Sequence, residues 1–253
     1  MYKNTFLKIG NYKPSEYKGI QEKAAYRLHS DLFEMITPYL KEGMYALDFG
    51  CGEGAFSQRL KDFGCKVDAC EIDIKQVKAK VDNLIYLDLN KENIVDNFER
   101  KYDCIIAMEV IEHIENPWKY MRDMKNLLKQ DGFILISTPN ISNFASRLRF
   151  FMRGSFLGFE KNDLEYGHIT PLNYFSLEHL FITLDFEILA KSPAGAFPIL
   201  FFVNPSIFYF LRNTILPLFY PFMRGDKKGR SLAYILKGIS KNSTIHINQR
   251  NQI

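Results

Sequence analysis

The stretch that most constrains the fold is Ala46–Ser57, which reads ALDFGCGEGAFS. A short apolar run ends at Asp48, and three glycines at alternate positions follow before a helical pattern begins near Ala55. Glycine lets the backbone turn sharply and approach a ligand without an intervening Cβ atom. A glycine-rich turn between a strand and a helix is typical of nucleotide sites in open α/β sheets. The stretch therefore predicts such a site at this turn.

Two cofactor classes fit a turn of this kind. The run from Gly50 to Ala55 satisfies the dinucleotide fingerprint if alanine takes the last place. Asp48, however, lies two residues before the first glycine, where a carboxylate would repel a pyrophosphate and attract a sulfonium or ammonium group. The carboxylate therefore favours S-adenosylmethionine over NAD.

Strand-like and helix-like segments alternate along most of the chain, which predicts a doubly wound α/β fold. The expected sheet has seven mostly parallel strands with helices on both faces. With 253 residues and 47% apolar content, we expect a single domain spanning 1–253. The predicted strands are Ala46–Asp48, Lys66–Ile72, Leu84–Leu89, Tyr102–Met108, Phe133–Ser137, Phe186–Lys191 and Leu232–Ile239.

Three segments lie outside this alternation. In residues 1–42 we expect an irregular arm followed by an amphipathic helix over about Ile20–Leu40. The helix is predicted because apolar residues recur there at intervals of three and four residues. Residues 141–175 follow the fifth strand and precede a helix that we expect Ser176 to cap. They form either a substrate lid or a passive surface loop.

The third segment, 195–230, is almost free of charge up to Met223. Its prolines argue against a membrane-spanning helix, so we predict a hydrophobic flap that either lies on a bilayer or roofs the active site. Four basic residues and one acidic residue follow Met223. This excess of positive charge suits a peripheral contact with an anionic membrane.

Composition excludes several classes of protein. The net charge of +4 is modest and the basic residues are dispersed, so a nucleic-acid partner is not expected. The four cysteines lack metal-ligand spacing and indicate reduced core thiols. The N-terminus has no apolar signal region, so we expect a cytoplasmic protein.

Acidic residues recur at the ends of the predicted strands, where parallel sheets bind ligands. Asp48, Glu71, Asp88 and Glu109 are placed in this way. Glu71 follows the first glycine by about 20 residues, as does the acid that binds ribose hydroxyls in dinucleotide sites. An ordinary acid at a strand end is the alternative for Glu71.

The chain resembles class I S-adenosylmethionine-dependent methyltransferases, which have a Rossmann-like fold. The resemblance rests on the ALDFGCGEG loop, Glu71, the EVIEH sequence before Asn116-Pro117, and the DGFILISTPN sequence. The branch that they resemble contains ubiquinone-pathway O-methyltransferases and glycan-cluster methyltransferases. The resemblance implies that the methionine end of the cofactor meets the loop, that the ribose meets Glu71, and that Asp88 flanks the adenine. The cofactor contacts expected on this basis are Asp48, Gly50, Cys51, Gly52, Glu71, Ile72, Asp88, Leu89, Met108 and Glu109.

The same resemblance implies methyl transfer. An Asp/Asn-Pro-Pro-aromatic sequence, typical of amino-group methylation, does not follow the fourth strand. We therefore expect O-methylation of a small molecule or glycan, such as a lipid-linked sugar or a quinone precursor. The alternative function is a non-catalytic S-adenosylmethionine-binding or membrane-associated scaffold.

The catalytic candidates are His113 and His168. Glu109, Glu112 and His113 stand at i, i+3 and i+4, so one helical turn would place them on one face. With His168, they form a candidate Mg²⁺ or Mn²⁺ site, which a similar Glu-x-x-Glu-His pattern forms in related methyltransferases. The alternative is that His113 acts as a general base without a metal.

Overall fold

The computed structural model describes residues 15–195 and 229–239, and most of the expected flap lies outside them. The glycine loop, Gly50–Gly54, connects a strand that ends at Phe49 to a helix that begins at Ala55. The elements, in chain order, are β1 (Glu16–Tyr17), β2 (Ile20–Gln21), α1 (Leu28–Ile36), β3 (Tyr45–Phe49), α2 (Ala55–Phe63), β4 (Lys66–Glu71), β5 (Asn83–Tyr86), β6 (Tyr102–Met108), α3 (Pro117–Leu127), β7 (Leu128–Pro139), α4 (Phe144–Arg153), α5 (Lys161–Glu165), α6 (Tyr174–Thr183), β8 (Phe186–Ala194) and β9 (Ser231–Gly238).

Strands β3 to β9 form one seven-stranded sheet in the order β5-β4-β3-β6-β7-β9-β8. The pairs among β3 to β7 are parallel, whereas β9 is antiparallel to both of its neighbours. The order reverses direction at β3, so the loop after this strand lies at a topological switch point, where open sheets bind ligands. The predicted fold class is confirmed.

Both faces of the sheet are covered, as expected for parallel strands. Alternate residues of β6 belong to different cores, with Cys104 and Ile106 on the α1 and α2 side and Ile105 and Ala107 on the α3 and α6 side. This alternation follows from the two-residue period of a strand. Cys65, Cys70 and Cys104 are buried and free, in agreement with the expected core thiols.

Helix α1 is shorter than the predicted Ile20–Leu40. The β1–β2 hairpin occupies residues 16–21, and Arg27 adopts a left-handed φ of 65° immediately before the helix begins at Leu28. The prediction of Ser176 as a helix cap was also wrong. The side chain of Asn173 accepts a hydrogen bond from the backbone N–H of Ser176, so the cap lies one turn earlier.

Residues 141–175 contain α4, α5 and a connecting stretch that packs against the end of β6. The backbone N–H groups of Ile169 and Thr170 both donate to the carbonyl oxygen of Glu112 at 2.9 Å. The Thr170 hydroxyl also donates to the Ile114 carbonyl at 2.6 Å. These bonds fix the 167–170 stretch beside the strand ends. Within the described ranges, no helix has the length and apolar content that a membrane crossing requires.

Candidate active site

The glycine loop uses left-handed backbone at all three glycines, with φ of 61° at Gly50, 57° at Gly52 and 89° at Gly54. A Cβ atom on Gly50 would lie 2.9 Å from Val110 Cγ2, so the loop needs glycine to pass close to the end of β6. By contrast, nothing lies within 4 Å of a Cβ atom built on Gly52. The middle of the loop therefore faces open space that a ligand can approach.

Asp48 is only 2% exposed and lies beneath the loop. The Ser57 hydroxyl donates a hydrogen bond of 2.5 Å to Asp48 Oδ2, which joins the end of β3 to the first turn of α2. Burial raises the pKa of Asp48 to about 7, and the charge of Glu71 adds to this, while the bonds from Ser57 oppose it. Asp48 thus titrates near neutral pH, and its expected contact with an ammonium group stays a prediction.

Glu71 ends β4 and holds several backbone groups. Its Oε2 accepts a hydrogen bond of 2.8 Å from the N–H of Gly52, and its Oε1 accepts from Ile72 at 2.9 Å. The carboxylate therefore connects β4 to the glycine loop. Glu71 also lines the cavity described next.

A cavity of about 460 Å³ lies along the carboxyl ends of β3 to β6. It is large enough for a cofactor or a small acceptor. Its lining includes seven of the predicted site residues: Gly50, Glu71, Ile72, Asp88, Leu89, Glu109 and His113. The lining also includes residues that sequence reasoning missed: Cys70, Leu87, Asn90, Val110, Ile114, Tyr166, Gly167 and Ile169.

Asp88 lies on one side of this cavity. A 2.9 Å ion pair with Lys91 is the main cause of the lowered pKa of Asp88. The neighbouring Asn90 joins this wall to the end of β6, because its side chain donates to the His113 carbonyl and accepts from the Glu115 N–H, both at 2.9 Å. Its polar side chain directly after the Asp88-Leu89 pair was a signal that could have revealed this bridge.

Glu109 follows β6 with a left-handed φ of 54°, which is uncommon for a residue other than glycine. Its two carboxylate oxygens accept hydrogen bonds from the hydroxyls of Ser137 and Ser231 at 2.9 and 3.0 Å. Burial raises the pKa of Glu109 to about 7, and the bonds from both serines oppose this shift.

The expected helical turn that groups Glu109 with Glu112 and His113 was wrong. A 3-10 turn spans only Ile111–His113, and the backbone of Glu109 directs its carboxylate toward the serines instead. Glu112, His113 and His168 do come together, with one ligand atom from each lying within 4.8 Å of the other two. The imidazole rings of the two histidines meet edge to face, 4.6 Å apart.

Glu112 is fully buried. Its Oε2 accepts from the Thr138 hydroxyl at 3.1 Å, whereas its Oε1 has no hydrogen-bond partner among the described residues. Burial and the charge of Glu109 raise the pKa of Glu112 well above its usual range. A buried carboxyl oxygen without a partner is costly in its charged form, in agreement with the raised pKa of Glu112.

Burial lowers the pKa of His113, and nearby His168 lowers it further, while backbone hydrogen bonds to Gly167 and Tyr166 oppose the shift. His113 is thus a neutral base at neutral pH and lines the cavity. The His168 Nδ1 atom lies 2.7 Å from the Gly158 carbonyl, so the ring donates through this nitrogen and leaves Nε2 free to accept.

Six of the predicted residues do not form part of the cavity lining. Cys51 is partly buried in the loop, and burial raises the pKa of its thiol far above the usual value. The remaining predicted residues outside the lining are Asp48, Gly52, Met108, Glu112 and His168.

A family model described as a methyltransferase domain matches residues 20–191. Among curated proteins, a ribosomal protein L11 methyltransferase of Campylobacter concisus is 32% identical over 108 residues, which cover 41% of this chain and 38% of the relative. A ubiquinone biosynthesis O-methyltransferase of Caulobacter vibrioides is 28% identical over 145 residues, which cover 54% of this chain and 56% of the relative. The chain thus spans about half or less of the length of these relatives.

A solved structure of an S-adenosylmethionine-dependent methyltransferase from Clostridium acetobutylicum has a similar fold, with a TM-score of 0.55 at 15% identity. The alignment covers 86% of this chain and 94% of that one. At this identity the likeness concerns the fold alone.

Proposed function

The chain belongs to the methyltransferase-domain family, and we propose that it transfers the methyl group of S-adenosylmethionine to a hydroxyl of a small molecule or glycan. The observation that carries the proposal is the cavity that Gly50 of the glycine loop, Glu71 and His113 line together. The names of the relatives support methyl transfer. The acceptor class rests on the ubiquinone relative and on the sequence resemblance.

The lining of the cavity suits the chemistry of the cofactor. Ile72 is 56% exposed at its wall, and Leu89 lies nearby, so a flat adenine ring has apolar surface to cover. We infer that Glu71 accepts hydrogen bonds from the ribose hydroxyls of the cofactor and that Asp88 accepts one from the exocyclic amine of its adenine. The open space above Gly52 suits the methionine end.

The chemistry needs little from the protein. S-adenosylmethionine supplies a methyl group that its sulfonium already activates. The chain has to hold an acceptor oxygen in line with that methyl group and to exclude water. His113 takes up the proton that a hydroxyl nucleophile loses, since its lowered pKa keeps it neutral at neutral pH. His168 contacts His113 edge to face and holds the ring in place.

A divalent ion held by Glu112, His113 and His168 is the alternative role for this cluster. The unpaired Oε1 of Glu112 supports it. Without Glu109, the donor set has one carboxylate and two imidazoles, which suits Mn²⁺ or a related ion better than Mg²⁺. The raised pKa of Glu112 means that an ion has to displace a proton here.

Residues 141–175 are proposed as the substrate lid, because Tyr166 and Ile169 line the cavity from this segment. Tyr166 is 82% exposed, so an aromatic or sugar ring could stack on it. A lipid-linked sugar or a quinone precursor would meet both an apolar wall and a general base here. The expected flap of 195–230 lies mostly outside the described residues.

An acceptor screen tests the proposal. The full chain is incubated with S-adenosylmethionine labelled in its methyl group and with fractions of a cell extract, and labelled products are separated. We expect label in a low-molecular-weight or lipid fraction and its loss in His113→Ala. Cofactor binding without transfer to any fraction would favour the non-catalytic scaffold instead.

A further inference from the structure

The C-terminal end of α4 presents consecutive apolar side chains to solvent. Phe150, Phe151 and Met152 are 48%, 88% and 59% exposed, and Arg153 after them is exposed as well. We call Phe150–Arg153 the α4 tip. Adjacent exposed apolar residues of this size indicate an interaction site, whereas scattered ones do not.

Contacts between α4 and the segment that follows it hold the helix in place. Ser146 is fully buried, and its hydroxyl accepts a hydrogen bond of 3.1 Å from the Leu157 N–H. Arg149 forms an ion pair of 2.6 Å with Glu160. The Phe150 ring stacks on Phe156 with centroids 4.6 Å apart. The apolar surface therefore belongs to a folded helix and is held away from the core.

The charge of α4 indicates which partner fits. The helix contains three arginines and no acidic residue. Glu160 neutralises Arg149, whereas Arg147 and Arg153 form no ion pair with any residue of 15–195 or 229–239. A second copy docking through the same surface would bring like charges together. An anionic surface with an apolar interior accepts both the arginines and the phenylalanines.

We propose that the α4 tip docks on the anionic surface of a phospholipid bilayer. Phe151 and Met152 enter the boundary between headgroups and acyl chains, and the arginines contact phosphate groups. The α4 tip is connected to the histidine cluster, because Phe150 stacks on Phe156 and the carbonyl of Gly158, two residues further on, lies 2.7 Å from His168 Nδ1. The proposal concerns binding and does not depend on methyl transfer.

Co-sedimentation of the full chain tests the proposal. The probes are vesicles of phosphatidylcholine alone and vesicles of phosphatidylcholine mixed with phosphatidylglycerol. We expect binding to the mixed vesicles only, weakened by added salt. Phe151→Ser should weaken the binding roughly tenfold. Arg153→Ser should weaken it about fivefold.

Two matched variants control for a general change in exposed apolar area or charge. Ile182→Ser removes an apolar side chain that is 65% exposed on α6, and Arg122→Ser removes an exposed arginine of α3. Both should bind the mixed vesicles like the wild type. Equal binding by all four variants, or no binding by the wild type, would overturn the proposal. Sedimentation velocity tests the alternative partner. A dimer of the wild type that the Phe151→Ser substitution dissociates would overturn the proposal and indicate that the α4 tip binds a second copy of the chain.

Discussion

The Ser231 hydroxyl donates a 3.0 Å hydrogen bond to Glu109 Oε2, which joins the first residue of β9 to the residue that follows β6. The Ser137 hydroxyl, on the intervening strand β7, donates to the other carboxylate oxygen at 2.9 Å. One carboxylate thus connects the ends of three strands beside the cavity. These bonds help to hold Glu109 in its left-handed conformation.

Ser231→Ala should therefore lower the free energy of unfolding by about 1 kcal/mol, because a partly buried carboxylate loses a partner. Urea unfolding measures the change. A double-mutant cycle with Glu109→Gln should give a coupling energy between the two sites, whereas Ser30→Ala, at an exposed position of α1, should show none. Additive effects of Ser231→Ala and Glu109→Gln would mean that the two side chains do not interact.

Gly54 has two reasons to be glycine. Its φ is 89°, and a Cβ atom there would lie 2.5 Å from Ala79 Cβ. Gly43 has a similar φ of 80° but nothing within 4 Å of a Cβ atom. Gly43→Ala should therefore report the backbone strain alone, and Gly54→Ala should cost roughly 1 to 3 kcal/mol more because of the clash.

Thermal and urea unfolding of the two alanine variants compare these costs. Ala79→Gly, added to Gly54→Ala, should recover part of the difference. Equal losses for Gly54→Ala and Gly43→Ala would show that contact with Ala79 plays no role.

The buried position of His29 predicts that the free energy of unfolding falls in acid. It is 4% exposed, packs edge to face on Phe56, and its Nδ1 has no hydrogen-bond partner within the described residues. Burial lowers its pKa to about 3, and the guanidinium of Arg59 adds to the shift. Since the unfolded chain takes up a proton near pH 6.5 and the folded chain does not, this group destabilises the fold as pH falls from about 6.5 toward 3.

Unfolding of wild type and His29→Gln at several pH values tests this dependence. The difference in stability between them should change with pH below about 6.5 and be constant above it. A constant difference over the whole range would mean that His29 is protonated in the folded state as well.

Manganese titration separates the two roles of the histidine cluster. If Glu112, His113 and His168 hold an ion, Mn²⁺ should bind the wild type with release of protons, and Glu112→Gln should weaken binding about tenfold or more. Glu115→Gln, at an exposed position two residues past His113, is the matched control. Full methyl transfer in the presence of a chelator would exclude a required ion and leave His113 as the base.

Much of the fold could be predicted from local pattern. The β6 strand has the predicted bounds, Tyr102–Met108, because its apolar run ends abruptly at an acid. The position of the glycine loop followed from the same reasoning. The Asn173 cap was missed because two cap-forming residues stand three positions apart, and the sequence does not distinguish the N-cap from the residue that it binds.

The positions of site residues were less predictable where contacts with residues far along the chain determine them. Glu109 is not part of the cluster of Glu112, His113 and His168, because its carboxylate binds the hydroxyl of Ser231, 122 residues further along the chain. Asp48 is held beneath the loop by Ser57, in the first turn of α2, whose hydroxyl donates a hydrogen bond to its carboxylate. Tyr166 lies at the cavity because backbone hydrogen bonds from Ile169 and Thr170 to the Glu112 carbonyl hold its segment against the end of β6. No local period in the sequence encodes these contacts.

The buried position of Asp48 makes its expected role in cofactor binding testable. Asp48→Asn keeps the shape and can retain the bond to Ser57 while it removes the charge. If the carboxylate attracts the ammonium of the cofactor, affinity should fall by roughly 1 to 3 kcal/mol, measured by calorimetry. Asp62→Asn, on α2 away from the cavity lining, is the matched control. Unchanged affinity in Asp48→Asn would restrict Asp48 to a structural role.

Calorimetric titration of the full chain with S-adenosylmethionine, and separately with NAD, tests the central claim most directly. The glycine loop, Glu71 and the apolar wall at Ile72 predict one site for S-adenosylmethionine, with a dissociation constant on the order of micromolar. They predict no comparable heat with NAD, because the carboxylates of Asp48 and Glu71 beside the glycine loop would repel a pyrophosphate. Binding of NAD with equal or higher affinity, or no binding of S-adenosylmethionine, would contradict the account.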